Sequence, residues 1–504
     1  MSEPVQTPAG QAAPAAPAAK TTITYSEAQK SLLDEVLQQY DDSVQQQLKG
    51  QIDTLVSQVL GKQVSVSKDV VAALKDRIAY LDGLLSVQVN AILHHPDYQK
   101  LEASWRGLHY LVYETETGEM LKLRVLNVTK QELYKDLITA IEFDQSQTFK
   151  KIYSPYDTYN AAPYGALVGD YEFDWRPQDV QLLEKMSEVA AAAHAPFISA
   201  ASPKMFGWKS FSAMPEERDL AKIFDINLNP DYIKWAEFRK SDDARYVSLA
   251  LPHVLMRLPY DPEKNPIEAF RFQEDVDGRD HSKYLWGSAA YALAARITAA
   301  FAEYGWHMAI CGLEGGGQVK GLPLHTFETE AGTKKVKCPT EVIVQERRAG
   351  ELIKLGMVPL VMYENTDFAV FVDAPSCKKP KEYLDEQASA NEAISADLRC
   401  MLAASRFTHY LKAICRDKQG SFVSAKQLED YLHQWIVGSY AVANADAKQA
   451  IKASRPLRDA SVEVREIKGK PGYYAAKVFL APHIPFRGLT AGVSMVAELP
   501  KAKG

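Results

Sequence analysis

The amino-acid sequence predicts a mixed α/β (α+β) fold made of several domains, and three observations lead to that prediction. Strand-like and helix-like runs alternate from about residue 120 onward, which is typical of sheets covered by helices. Near the N-terminus, apolar residues recur every four positions, as they do along an amphipathic helix. The chain closes with three strand-like runs.

Length and composition are those of a globular protein. The chain has 504 residues, of which 46% are hydrophobic and 24% charged, with a formal net charge of −6. This length accommodates two or three domains and a sizeable core. The acidic balance argues against a general nucleic-acid binder, so we expect no nucleic-acid partner.

The sequence also indicates a cytoplasmic protein. No apolar run approaches the roughly 20 residues that cross a bilayer, so we expect no membrane insertion. No basic region followed by an apolar stretch marks a secretory signal. Five cysteines lie far apart without a C-x-x-C pair, which is typical of reduced, mostly buried thiols. They are Cys311, Cys338, Cys377, Cys400 and Cys415.

The N-terminal region is predicted to contain a tail and an arm. Residues 1–22 are expected to be disordered, because "PVQTPAGQAAPAAPAA" (4–19) is a low-complexity Pro/Ala segment. Residues 23–62 are expected to form a helical arm that begins with a capping box at Ser26 and Gln29. Leu33 and Leu37 widen its apolar stripe, and the arm has no obvious local partner. The stripe itself contains Leu32, Val36, Tyr40, Val44 and Leu48.

Residues 63–380 are predicted to form an α/β core. It opens with a long helical stretch at about 69–112, which Pro96 is expected to divide. Strands are predicted at 122–128, 164–173 and 196–202, with further strand structure in 246–260. Helices are predicted at about 130–142, 178–194 and 284–305.

Residues 381–504 are predicted to form a second α/β module. The charged, proline-containing stretch "CKKPKEYLDE" (377–386) marks the boundary before it. Val462 and Val464 alternate with Glu463 and Arg465, the pattern of a half-buried antiparallel strand. Such terminal strands either complete their own domain or complete the sheet of a neighbouring chain. Helices are predicted near 384–417 and 424–440, followed by strands at 460–467, 473–481 and 490–499.

The stretch "CGLEGGGQVKG" (311–321) raises the question of phosphate binding. A P-loop requires Lys and a hydroxyl where Gln318 and Val319 stand. A dinucleotide fingerprint requires a third glycine where Lys320 stands. The following "LPLHTFET" is strand-like, whereas a phosphate site would need a helix there. We therefore interpret the glycines as a packing loop that requires positive φ and close chain approach.

Other candidate sites also fail on spacing. "DVDGRD" (275–280) has its glycine at position 4 instead of 6 and lacks Glu at position 12, so it fits a charge cluster at a turn or subunit contact better than a calcium loop. The side chains of His94 and His95 diverge on a helix and make a poor metal pair. No Gly-x-Ser-x-Gly elbow occurs. The sequence therefore predicts no catalytic, cofactor or metal site.

Six long blocks closely resemble the large subunit of the bacterial type VI secretion contractile sheath. The resemblance covers nearly everything from about residue 25 to the C-terminus, in the order of the family, and leaves out the Pro/Ala tail. The blocks are "HPDYQKLEASWRGLHYLV" (95–112), "AAAAHAPFISAASPKMFG" (190–207), "DLAKIF" (219–224), "EDVDGRDHSKYLWGSAAYALAARI" (274–297), "YGWHMAICGLEGGGQVKGLPLHTF" (304–327) and "FRGLTAGVSMVAELP" (486–500).

The resemblance implies a structural protein with no catalysis and no cofactor. In this family the large subunit pairs with a small sheath subunit, and the heterodimers assemble helically around an inner tube above a baseplate. Contraction drives the tube into a target cell, with energy stored as the difference between two packings of the subunits. A sheath protein of another phage-tail-like particle and a nucleotide-dependent enzyme remain the alternatives.

The resemblance also implies two sets of contact residues. Neighbouring protomers share terminal strands in one sheet, and a hexameric AAA+ unfoldase grips contracted sheath by the N-terminal helix. The matching strand residues are Val462, Val464, Val478, Val493, Met495 and Val496. The matching helix residues are Leu32, Leu33, Val36 and Leu37.

Overall fold

The structure is a computed structural model, and part of the chain lies outside the residues that it describes. The described residues are 70–158, 161–263, 270–328, 332, 334–363, 366, 368–417, 425–444, 447–466, 474–483 and 493–498. The tail (1–22) and the arm (23–62), with Leu32, Leu33, Val36 and Leu37, therefore fall outside them. The chain divides into two compact units, one of residues 1–88 with 269–271 and one of residues 89–268 with 272–504.

The helices follow the predicted pattern closely. The predicted division at Pro96 is confirmed, because Pro96 is the first residue of the second helix, where its missing N–H removes no hydrogen bond. The helices are α1 (Val70–Leu93), α2 (Pro96–Tyr113), α3 (Lys130–Thr139), α4 (Gln147–Asp157), α5 (Pro177–Ala193), α6 (Leu220–Ile223), α7 (Ile233–Lys240), α8 (Ala289–Tyr304), α9 (Glu346–Lys354), α10 (Glu386–Ser395), α11 (Leu398–Asp417), α12 (Ala425–Tyr440) and α13 (Gln449–Ser454).

The strands form one large sheet and three small ones, in the orders β1-β2-β3-β9-β10-β6, β11-β12-β13, β4-β5 and β7-β8. The strands are β1 (Leu167–Phe173), β2 (Phe197–Ala201), β3 (Val247–Leu251), β4 (Val254–Leu255), β5 (Trp286–Gly287), β6 (Gln318–Val319), β7 (Thr326–Glu328), β8 (Lys334–Val336), β9 (Met357–Met362), β10 (Ala369–Phe371), β11 (Leu457–Glu466), β12 (Tyr474–Pro482) and β13 (Val493–Glu498).

The six-stranded sheet lies at the centre of the second unit. Strands β1, β2, β3 and β9 run parallel, and β10 and β6 continue the sheet antiparallel. Every residue of β2 and β3 is buried, which is expected when helices cover both faces of a parallel sheet. Alternate residues therefore enter two cores. Leu249 joins the core with α3 and α5, whereas Ala250 joins the core with α8.

Helix α11 connects these cores to a third one. Met401 packs in the first core, Leu402 in the second, and Phe407 and Leu411 in the third. The third core fills the space between α12 and one face of the sheet β11-β12-β13. Residues on both sides of the predicted boundary at 380–381 thus contribute to one compact unit, and that boundary stays a prediction.

One predicted strand is wrong. Residues 122–128 were expected to join a sheet, yet they form no strand, although α3 follows them as predicted. A strand requires a partner ladder, and β1, the edge strand of the large sheet, pairs only with β2 in the described chain. The side chains of Val125 and Leu126 remain 70% and 47% exposed.

A partly buried ion-pair bridge fastens the edge of the large sheet. His253, which follows β3, contacts Glu172 of β1 at 2.9 Å through Nε2 and Glu341 at 2.5 Å through Nδ1. Glu341 also accepts hydrogen bonds from the Ser210 hydroxyl and the Phe211 N–H. Burial disfavours the imidazolium, but the bonds to Glu172 and Glu341 outweigh burial and raise the pKa of His253 to about 10. This histidine therefore carries a charge at pH 7.

Three other histidines are held in the opposite, neutral state, and two of them, His307 and His409, are buried. Burial lowers the pKa of His194 to about 4, and it lowers the pKa of His307 and of His409 to about 3. His307 stacks on Phe301, with 5.1 Å between the ring centroids. All five cysteines are free thiols and four of them are buried, as the sequence predicted.

We expect the free energy of unfolding to fall as the pH drops from about 6.5 to about 4. Between these pH values His194, His307 and His409 become protonated in the unfolded chain but stay neutral in the folded chain. Each of them then lowers stability by about 1.4 kcal/mol per pH unit. His253 acts oppositely, because its stabilising contribution is complete below about pH 6.5 and is lost as the pH rises toward 10.

Urea unfolding of the purified protein between pH 4 and pH 8 tests this expectation. His307→Gln removes one titrating group, so the pH slope should decrease by about one proton. An unchanged slope in His307→Gln would contradict the assignment.

Candidate assembly surfaces

The C-terminal sheet carries most of the strand residues that the sequence singled out. Val462, Val464 and Val478 are buried in the third core, with 8%, 7% and 2% of their surfaces exposed. Glu463 and Arg465 lie on the opposite, exposed face, so the predicted alternation is confirmed. One face of this sheet is therefore packed and the other is open to solvent.

Val493, Met495 and Val496 lie on β13, which pairs antiparallel with β12 of the same chain. In the register, Leu480 faces Val493, Val478 faces Met495 and Lys477 faces Val496. The side chains of β13 lie outside the described part of the structure. Its backbone pairing shows a strand within the predicted range 490–499 that joins the sheet of its own chain, and sharing of this strand between protomers stays a prediction.

The two edges of this sheet differ. The edge formed by β11 is occupied within the chain, because the Glu429 carboxylate on α12 accepts a hydrogen bond from the Val464 N–H at 2.8 Å. The Val442 N–H also donates to the Leu457 carbonyl at 2.8 Å. Strand β13 forms the opposite edge of the described sheet.

The connection that precedes β13 is long for adjacent antiparallel strands. Strand β12 ends at Pro482 and β13 begins at Val493, so residues 483–492 join them. Hairpin connections between such strands usually need about 2–5 residues.

The glycine loop is a packing contact, as the sequence predicted. The Gly312 N–H donates to the Phe371 carbonyl at 2.8 Å, and the Phe371 N–H donates to the Gly317 carbonyl at 3.0 Å. The Gly317 N–H in turn donates to the Gly312 carbonyl at 3.0 Å. Gly316 has φ +85°, which side chains rarely permit. These N–H groups bond within the chain and do not form a phosphate cradle.

The acidic segment 275–280 is a turn, and it lies next to a buried ion-pair network. Asp277 accepts hydrogen bonds from the N–H groups of two residues that follow it, at 2.9 and 3.1 Å. Nearby, buried Arg257 contacts Glu274 at 2.5 Å and Glu102 of α2 at 2.8 Å. Burial opposes the guanidinium charge, but these two carboxylates outweigh it and raise the pKa of Arg257. The network attaches α2 to the chain at 257–274.

The described residues offer little else that resembles a ligand site. Within them no group of three His, Cys, Asp or Glu side chains could hold a metal ion. No helix in the described ranges is long and apolar enough to span a bilayer.

Apolar exposure is concentrated in one part of the chain. More than half of the exposed large apolar side chains in the described residues lie between Ile78 and Ile141. Trp105 is 66% exposed and Tyr113 77% exposed on α2, and Met120, just after α2, is 70% exposed. Exposed apolar side chains in such number are typical of association surfaces, and here they are spread over both units. Sequence reasoning predicted a helical stretch here and did not assign its apolar face.

The chain matches one protein family along most of its length. The tail sheath N-terminal domain of the EvpB/VC_A0108 family matches residues 75–378, and the family's tail sheath gpW/gp25-like domain matches residues 387–499. The type VI secretion system sheath protein TssC1 of Pseudomonas aeruginosa is 45% identical over 487 residues, which cover 96% of this chain and 97% of TssC1. A chain in the cryo-EM structure of the anti-feeding prophage baseplate has a TM-score of 0.32 and 9% identity, covering 76% of this chain and 80% of that chain.

We expect Gly317→Ala to destabilise the fold by about 1–3 kcal/mol. An added Cβ would lie 2.6 Å from the Phe371 carbonyl oxygen and 2.7 Å from the Gly312 nitrogen, and neither backbone atom can move away freely. Gly350 on α9 is the matched control, since a Cβ there meets nothing within 4 Å. Gly350→Ala should stabilise by about 0.5–1 kcal/mol, because alanine favours the helix. Equal denaturation midpoints for both variants would show that the loop is not a tight contact.

Proposed function

Because this chain belongs to the EvpB/VC_A0108 tail sheath family, we propose that it is the large subunit of a type VI secretion contractile sheath. The observation that carries the proposal is the match of both tail sheath domains together with 45% identity to TssC1 over nearly the whole chain. The protein has a structural role in this proposal, and it acts in the bacterial cytoplasm.

We further propose the assembly partners of this subunit. It pairs with a small sheath subunit, and the pairs stack helically around an inner tube, starting from a baseplate. Contraction moves the subunits between two packings and pushes the tube toward the target cell. The bonding of the glycine loop within the chain supports a mechanism that needs no nucleotide at this position.

Co-expression of this chain with the small subunit tests the proposed function. Electron micrographs should show helical tubules, and the two proteins should purify together. Failure of the two proteins to associate would favour a different phage-tail-like particle. Stoichiometric ATP binding by the purified chain would favour the enzymatic alternative.

Strand sharing is the proposed connection between neighbouring sheath subunits. The hydrogen bonds on the outer edge of β11 and the position of β13 as the last strand of the described sheet support exchange of β13 rather than of β11. In this arrangement β13, with Val493, Met495 and Val496, pairs with β12 of a neighbour, whose Val478 packs together with Val462 and Val464 in the third core.

We expect Val493→Pro or Val496→Pro to abolish long tubules while leaving the pair with the small subunit intact. Proline removes a ladder donor, and the two positions differ by an odd number of residues, so their N–H groups point to opposite edges of β13. Val493→Ala and Val496→Ala keep the N–H and are the controls. Tubules of normal length from both proline variants would contradict strand sharing.

The N-terminal arm is the proposed handle for a hexameric AAA+ unfoldase. Leu32, Leu33, Val36 and Leu37 would enter a groove of the unfoldase with one apolar face. Leu33→Glu with Leu37→Glu should leave assembly and contraction unchanged and block disassembly of contracted sheath, because the groove would have to bury unpaired charges.

A peptide of residues 22–42 and its doubly substituted version can be compared for binding to the unfoldase N-terminal domain. Tight binding of only the original peptide is the expected result. A double variant that fails to assemble at all would instead place these leucines in the sheath body.

A further inference from the structure

A lysine side chain is buried where the two matched family domains meet. Lys378 is the last residue of the match to the N-terminal domain, and only 2% of its surface is exposed. Its Nζ lies 2.8 Å from Oδ1 of Asp242 and 2.7 Å from Oε1 of Glu392, which belongs to the match to the second domain. Lysine is almost never buried this fully unless it is paired. The contact between Lys378 and Glu392 therefore connects the two domains inside the protein.

The backbone beside Lys378 is fixed by hydrogen bonds to both domains. The Cys377 N–H donates to the carbonyl of Val247, the first residue of β3, at 2.8 Å. The Ser376 N–H donates to the carbonyl of Ala396, which directly follows α10, at 2.7 Å. The ammonium group of Lys378 is thus carried by a segment that is bonded to the large sheet and to the end of α10.

Helix α10 has few other side chains that could fix its position strongly. Its ten residues, "EQASANEAIS", contain one large apolar side chain, Ile394, and three alanines. The free energy gained on burial grows with apolar area, so alanines contribute little to the packing of a helix. Glu392 adds a short ion pair with a buried ammonium, and removal of one partner from such a pair is costly. We therefore expect Glu392 to be a main determinant of where α10 lies.

Helix α10 lies beside the last strand of the C-terminal sheet. Cα atoms of α10 approach those of β13 to within 8 Å, and α11 also approaches β13 this closely. On its other side, β13 forms a ladder with β12. The surroundings of β13 in its own chain therefore include the helix that Lys378 holds.

We propose that the contact between Lys378 and Glu392 restrains β13 in the sheet of its own chain, and that this restraint is released before β13 pairs with a neighbour. The inference rests on the proposed strand sharing and adds the residues that regulate it. While the ion pair is intact, α10 stays beside β13. Once it is broken, α10 can move, and β13 separates by losing its ladder with β12 alone.

An ion pair is suited to a restraint that must be both firm and reversible. While it is buried, the pair is screened little by salt, so it holds over a wide range of ionic strength. When the two groups separate, each regains hydration, and this offsets much of the lost Coulomb attraction. An apolar contact has no such compensation, because separation exposes its surface to water.

Hydrogen exchange of the purified full-length chain tests the restraint. Glu392→Gln removes the charge on α10, and the amide groups of β13 (Val493–Glu498) should then exchange about tenfold faster. The amide groups of β3 should exchange as in the wild type, because the large sheet keeps its own contacts. Unchanged exchange in β13 would overturn the inference. An equal acceleration in β3 and β13 would also overturn it, since Glu392 would then stabilise the whole unit without a specific effect on β13.

Asp242→Asn is the matched control. It removes the other carboxylate of Lys378, but Asp242 follows α7 and its side chain is 67% exposed. Exchange in β13 should stay within about twofold of the wild type, because α10 keeps its ion pair. Acceleration by Asp242→Asn equal to that of Glu392→Gln would contradict a specific role of α10.

A double-variant cycle with Lys378→Met tests whether the two residues act through one contact. Methionine keeps an unbranched side chain of similar length without the charge. Exchange in β13 should be as fast in Lys378→Met as in Lys378→Met with Glu392→Gln, because both lack the same ion pair. Additive effects of the two substitutions would overturn the assignment to this contact. If Lys378→Met does not fold, the comparison of Glu392→Gln with Asp242→Asn still decides.

The rate of tubule formation separates this inference from the proposed function. Co-expressed or mixed with the small subunit, Glu392→Gln should form tubules at least about twofold faster than the wild type, because a required opening precedes pairing. Equal rates despite faster exchange in β13 would overturn the role of the restraint in strand sharing. If the wild-type chain forms no tubules, the sheath function fails, and hydrogen exchange still decides whether Lys378 and Glu392 restrain β13.

Discussion

Helix α11 is the element on which the arrangement of the second unit depends. Its 20 residues span about 30 Å, and successive turns pack into all three large cores. Helix α11 therefore connects the core of the large sheet to the core of the C-terminal sheet without a break in the helix. A displacement applied to the C-terminal sheet would reach the large sheet through this helix, because a packed helix does not compress.

The interior and the surface of the protein differ in how well their charged and apolar groups are satisfied. Inside, Arg257 is paired with Glu274, and the buried carboxylate of Glu341 is paired with His253. Breaking one partner of such a buried pair is expensive, so these contacts fix a single packing of the chain. At the surface between Ile78 and Ile141, large apolar side chains stay exposed. This contrast is expected of a subunit whose core is fully packed and whose apolar contact surfaces become covered only on assembly.

The sequence predicted the elements whose signals are local. The helix break at Pro96, the alternation of Val462 and Val464 and the packing role of the glycines were confirmed, because each depends on neighbouring residues. The strand at 122–128 was wrong because a strand needs a partner that periodicity does not supply. The exposed face of α2 was missed for a related reason, since the same spacing of apolar residues fits a core and an interface.

Contacts between distant residues were also missed. His253 contacts Glu172 and Glu341, which are separated from it by 81 and 88 positions in the sequence. No local sequence pattern indicates such a bridge. Prediction of the short strands β6 and β10 failed for the same reason, since two or three residues carry too little periodicity to be recognised. The arm residues lie outside the described part, so their role stays a prediction.

The ten residues of the connection 483–492 set a length scale for any exchange of β13. Fully extended, ten residues reach about 33–36 Å. If β13 paired with a neighbour, this connection would link the two subunits covalently. It would allow any separation up to its fully extended length. Subunits could turn and slide past one another within that radius while every ladder hydrogen bond stayed in place. At larger separations β13 would lose its ladder hydrogen bonds. The length of the connection would therefore limit how far neighbouring subunits can move apart.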